Sequence, residues 1–92
     1  MSTTKQSGIL PTYFDGKLDP GTFRRIVRVL EEKGVSDVRV DHWHDGLFGF
    51  TYSIDGDGIS GCGPSLLQYD RSKAMTNCLR SMIDELSKLG RV

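Results

Sequence analysis

The chain has 92 residues, of which 37% are hydrophobic and 26% charged, with basic and acidic side chains in equal number. That composition excludes a wholly disordered chain and supports one modest core rather than two domains. Zero net charge argues against a generic polyanion binder, and no apolar run reaches the roughly 18 to 20 residues of a membrane span.

Residues 1–18 read as an N-terminal arm. Thr3, Thr4, Gln6, Ser7, Gly8 and Pro11 oppose a helix, while Ile9-Leu10 and Tyr13-Phe14 supply anchors or an edge strand before the Asp15-Gly16 turn. The polar start lacks the apolar region of a secretory signal. Two cysteines, Cys62 and Cys78, suit packed thiols in a reducing compartment better than a disulfide framework, so a cytoplasmic location is expected.

Residues 19–92 read as a single α+β domain. Asp19 is the expected N-cap of a first helix, Pro20 its first residue and Gly34 its stop. Phe23, Ile26, Val27 and Leu30 recur at helical spacing and form one apolar stripe. Arg24, Arg25 and Arg28 stand on the outer side, partly balanced by Glu31 and Glu32.

Three Asp-Gly pairs then punctuate alternating apolar residues, which predicts hairpins. A three-residue loop, His44-Asp45-Gly46, would pair Val40 with Phe50 and Val38 with Tyr52. A two-residue loop would set Asp41 against Phe50 and mix the faces. A turn over Asp55 to Gly58 would place Ile54 opposite Ile59 and start a short third strand ended by Pro64.

A second helix is expected from Asp70 or Ser72 to Gly90. Its apolar stripe is Met75, Cys78, Leu79, Met82, Ile83, Leu86 and Leu89. Lys73, Asn77, Arg80, Asp84 and Lys88 face outward, with Arg80 and Asp84 spaced to pair. The expected architecture is α-β-β-β-α: a three-stranded antiparallel sheet packed on two helices.

Charge is unevenly spread along this order. Residues 1–34 carry a net of +2, residues 35–70 a net of −5 and residues 71–92 a net of +3. Basic helices therefore flank acidic hairpins, although turns recruit Asp for conformational reasons alone.

Catalytic and metal chemistry find little footing. Asp55-Gly-Asp57-Gly resembles a calcium loop, but a start at Asp55 places Ile59 and Leu66 at ligand positions, and a start at Ser53 places Pro64 at the last one. His42 and His44 are the only histidines, and Cys62 and Cys78 are not at ligand spacing. His42 therefore reads as partly buried and His44 as a loop residue. No nucleophile elbow, zinc-protease helix or phosphate loop occurs, so neither enzymatic activity nor a cofactor, metal or small-molecule substrate is expected.

Partner contact is the better reading. It is expected at Arg24, Arg25 and Arg28, at Arg71, Lys73 and Arg80 around the second helix start, and on the first hairpin at Trp43 and Asp45. Trp43 falls on the sheet face away from Val38 and Val40, there either to be exposed beside Leu47 or to be covered by the arm. The basic groups equally suit a plain solvated helix face.

Two resemblances bear on this. The α-β-β-β-α order, with Asp70-Arg-Ser-Lys73-Ala74 opening the last helix, is similar to double-stranded-RNA-binding domains, where a Lys-Lys-x-Ala-Lys segment grips phosphates. Only Ser72-Lys73-Ala74 matches here, and Met75 and Asn77 stand where lysines are usual. The whole chain also resembles the small phage-encoded anti-CRISPR proteins acting on the type I-F surveillance complex. That likeness is carried by the Gly16-to-Gly34 helix, the hairpin Val38-Arg-Val-Asp-His-Trp-His-Asp-Gly and the segment Ser65-Leu-Leu-Gln-Tyr-Asp-Arg71. It implies a stoichiometric inhibitor in the cytoplasm of an infected bacterium, with Cas subunits as partners and the crRNA guide admitted as another.

Overall fold

A computed structural model describes residues 18–61 and 66–92. Asp19 caps α1 (Pro20–Glu31), its carboxylate accepting from the Thr22 N–H at 2.8 Å and the Thr22 hydroxyl at 2.9 Å. These bonds hold the Asp19 carboxyl below its usual range. Ile26, Val27 and Leu30 are buried and Phe23 is half-buried against the core. Gly34, at φ 110°, turns the chain into the sheet.

Strands β1 (Val35–His44), β2 (Leu47–Ile54) and β3 (Asp57–Gly61) form an antiparallel sheet in that order. Val35, Val40, Phe50, Tyr52 and Ile54 join the buried residues of both helices in one core. The molecule is thus a two-layer α+β domain with helices on one sheet face.

The first hairpin turns differently from the expectation. His44 pairs with Leu47, and both Asp45 (φ 49°) and Gly46 (φ 78°) are left-handed, so the loop is a two-residue turn of type I′ rather than a three-residue one. Val40 nevertheless faces Phe50, because Trp43 bulges from β1 between His42, paired with Phe48, and His44. The type I′ turn matches strand twist, and the extra residue undoes the slip that would have buried Asp41.

A second bulge replaces the expected one-to-one pairing of Val38 with Tyr52. Ser36 pairs with Ser53 and Arg39 with Thr51, which leaves Asp37 and Val38 together against Tyr52. Val35 and Val38 are three apart, a spacing that strict alternation puts on opposite faces. With Asp37 at φ 54°, Val35 is buried and Val38 packs half-buried on the same core.

The second turn is also shorter than expected. Asp55 (φ 54°) and Gly56 (φ 90°) form another type I′ loop, so Ile54 lies opposite Asp57 and Ile59 opposite Tyr52. The pairing of Ile54 with Ile59 does not occur. The strand end at Pro64, Cys62 and residues 1–17 of the arm lie outside the described residues.

Helix α2 (Arg71–Lys88) begins at Asp70, whose carboxylate accepts from the Ser72 N–H at 2.8 Å. Met75, Cys78, Leu79, Met82 and Leu86 are buried and Ile83 is half-buried. Leu89 is 54% exposed, because the helix has ended and the residue caps it instead. Asp84 pairs forward with Lys88 at 3.3 Å rather than back with Arg80. No described helix is long and apolar enough to cross a membrane.

The helices run side by side in the same direction. The Ser72 hydroxyl donates to the Leu18 carbonyl at their starts. At their ends, the Arg91 guanidinium donates to the Lys33 carbonyl at 3.0 Å and to both Asp55 carboxylate oxygens at 2.9 and 2.6 Å. One side chain therefore ties the C-terminus to α1 and the β2–β3 turn.

The Arg91 guanidinium beside Asp55 holds that carboxyl below its ordinary value of 3.8. A carboxyl depressed by folding stabilises the fold above its unfolded value, and the contribution disappears as pH falls through the folded value. Arg91→Ala is therefore expected to lower the urea midpoint at neutral pH. The gap from the parent should narrow in acid, below about pH 4, to what the pH-independent bond to the Lys33 carbonyl contributes. Parallel urea titrations across pH check this, and Asp19, unchanged in both proteins, cancels from the difference.

Candidate partner-binding cleft

Because both helices start at one end, their first turns sit beside the edge of β1. Arg24 on α1, Arg39 on β1 and Arg71, the first residue of α2, line one cleft of about 420 Å³. Phe23, Val38, Val40 and Met75 line it as well, with Val40 and Met75 buried and Phe23 and Val38 half-buried. Asp41 stands at the same cleft.

The three guanidiniums make no ion pair or side-chain hydrogen bond among the described residues, and all three residues are exposed. Guanidiniums unpaired among the described residues, beside half-buried apolar side chains, suit an anion through planar, bidentate hydrogen bonds. The two helix N-termini add partial positive charge at this end, moderated by the capping carboxylates of Asp19 and Asp70.

The structure brings together Arg24 and Arg71 from the sequence-predicted set. Arg25 lies beside them on α1, with its Nη2 donating to the Thr22 hydroxyl at 3.3 Å. Arg28, Lys73 and Arg80 are exposed on their helices but do not line the cleft. Asp45 is the left-handed corner of the first hairpin, with its carboxylate 3.3 Å from His44 Nδ1.

Trp43 is 42% exposed on the open sheet face, and its indole covers Gly49 so closely that a Cβ there would meet Nε1 at 2.1 Å. His42 is exposed rather than partly buried. Its ring lies on Phe48 with centroids 4.0 Å apart, a contact that needs no metal. Among the described residues no group of His, Cys, Asp and Glu is arranged to hold a metal.

Sequence patterning misses Arg39 and Asp41 as site residues. The one signal for them is their position on an edge strand beside both helix starts, and that becomes visible only with the strand order. A larger groove of about 560 Å³ crosses the open sheet face, where, among the described residues, Arg39 is the single cation, beside Asp37 and polar or small residues such as Thr51, Ser53 and Gly58. Its charges do not converge, so the smaller cleft is the stronger candidate.

Cys78 is no nucleophile in this setting. It is fully buried, and burial pushes its thiol up to about 12. The Tyr52 hydroxyl, likewise pushed up by burial, meets the Ser81 hydroxyl at 2.6 Å and links the sheet to α2.

Protein-family models, curated proteins and solved structures yield no significant match to this chain.

Proposed function

We propose that this protein is a stoichiometric inhibitor that binds a CRISPR–Cas surveillance complex and prevents target DNA from pairing with the guide. It acts without catalysis or a cofactor, in the cytoplasm of an infected bacterial host. Cas subunits are its partners, and the crRNA guide lies within reach of the same contacts.

The observation that supports this reading is the mixed character of one surface. Three arginines without an ion-pair partner among the described residues share a cleft with Asp41, while Asp37 and Asp45 are exposed along the same strand and its turn. Such alternation complements a protein surface of mixed charge and would oppose a uniform polyanion at several points.

The test is to add the purified protein to a type I-F surveillance complex and to follow co-elution and target-DNA binding. Loss of DNA binding at near-equimolar inhibitor is expected. An unaffected complex at stoichiometric excess overturns the reading. Within it, replacing Arg24 and Arg71 together with Glu should weaken binding by about tenfold or more, with the circular-dichroism spectrum unchanged.

A second reading has one observation in its favour. The α-β-β-β-α order, with Arg71 and Lys73 in the first turn of the last helix, suits a nucleic-acid-binding module of the double-stranded-RNA-binding type. That reading predicts affinity for free RNA duplex that falls steeply with salt. Absence of duplex binding at low salt removes it.

A further inference from the structure

We infer that the cleft between α1, the β1 edge and α2 takes a short acidic–apolar segment of a partner protein: a large apolar side chain flanked by carboxylates. This rests on the reading of the protein as a binder of a protein assembly and names the chemistry of the segment it grips.

Charge complementarity supplies half of the argument. Arg24, Arg39 and Arg71 come from three different elements, line one cleft, Arg39 at its border with the open sheet face, and have no acidic partner among the described residues. Guanidiniums match carboxylates in paired hydrogen bonds, and three of them around one opening suit more than one carboxylate.

The floor supplies the other half. Half-buried Phe23 and Val38 present apolar surface in the cleft, with buried Val40 and Met75 behind them. A ligand made only of charges leaves that surface wet, whereas a Leu or Phe side chain removes it from water. A cleft of about 420 Å³ accommodates one large side chain with its flanking groups.

Asp41 selects in the same direction. Asp41 lines the cleft, and its negative charge opposes any closely spaced run of anions, carboxylates as well as phosphates, while a peptide with spaced carboxylates can direct a backbone N–H toward it. A nucleic-acid strand is therefore the disfavoured occupant.

The experiment is an NMR titration of the full chain with three probes: the peptide Asp-Glu-Leu-Phe-Asp-Glu, hexaglutamate and deca-uridylate. At roughly physiological salt, the mixed peptide is expected to bind about fivefold or more tighter than either other probe. It should shift the signals of Arg24, Arg39, Arg71 and the Met75 methyl group. The triple variant R24Q/R39Q/R71Q, with a dispersed spectrum showing that it folds, should bind the peptide about tenfold more weakly or worse.

Equal or tighter binding of hexaglutamate or deca-uridylate overturns the inference. So do shifts that avoid the cleft, undiminished binding by the triple variant, or no response to about 1 mM peptide. The surveillance-complex assay separates the two readings. Inhibition without peptide binding removes this assignment alone, and peptide binding without inhibition removes the inhibitor reading.

Discussion

Replacing Leu79 with Ala is expected to lower the free energy of unfolding by about 2 to 5 kcal/mol. Leu79 is 0% exposed at the centre of the α2 stripe, where Met75, Cys78, Met82 and Leu86 are buried with it. Removing its branched end forfeits the transfer of that apolar surface from water and leaves a void that close-packed neighbours fill only in part. A domain of this size has roughly 5 to 14 kcal/mol of total stability, so the loss is a large share of it. Urea unfolding should show a lower midpoint with an unchanged slope, the mark of lost stability rather than an altered unfolded state. A change below about 1 kcal/mol would show that α2 is not held as tightly as its burial indicates.

The second large effect is expected at Gly61. This residue pairs directly with Phe50 across β2 and β3, and the Phe50 ring lies over its α-carbon. A Cβ added there would come within 2.2 Å of Cζ, 2.3 Å of Cε2 and 2.6 Å of Cε1. An exposed ring would swing aside, but Phe50 is only 1% exposed and its neighbours fill the core. Either the ring leaves its rotamer or β3 moves away from β2. Gly61→Ala should therefore cost about 1 to 3 kcal/mol through overpacking, against a transfer gain from one methyl group that is much smaller. Thermal unfolding measures the cost, and amide exchange along β3 shows whether the strand has shifted. A parent-like midpoint with parent-like exchange would contradict this account.

Helix boundaries are legible in the sequence because their determinants are local. Asp19, Pro20 and Gly34 bracket α1, and Asp70 with Gly90 brackets α2, each through a capping bond or a left-handed backbone. The inward stripes follow from helical spacing alone, apart from Leu89 beyond the last turn. The number and order of strands also follow, since Asp-Gly pairs between apolar alternations leave few other arrangements.

Turn length is less accessible, because two local preferences compete. Asp45-Gly46 and Asp55-Gly56 each adopt the two-residue type I′ form, while Asp57-Gly58 opens β3, and in the first hairpin that form conflicts with the apolar alternation of β1 and β2. The resolution is a bulge at Trp43, which costs one exposed residue and keeps Val40 against Phe50. No residue near Trp43 advertises the bulge. It arises because burying Val40 and Phe50 on the helix side, with Phe48 half-buried beside them, outweighs regular pairing at one position.

Spacing over a few residues is thus enough to set the α-β-β-β-α order, the capped ends of both helices and the apolar faces. It also separates basic helices from acidic hairpins. Which of those charges meet is a matter of tertiary packing. Arg24 and Arg71 lie on different helices, and they share a cleft with Arg39 because the helices run in the same direction beside the β1 edge. The three-stranded meander between them and the shared core bring both helix starts to one end, a long-range arrangement that spacing along the chain does not encode.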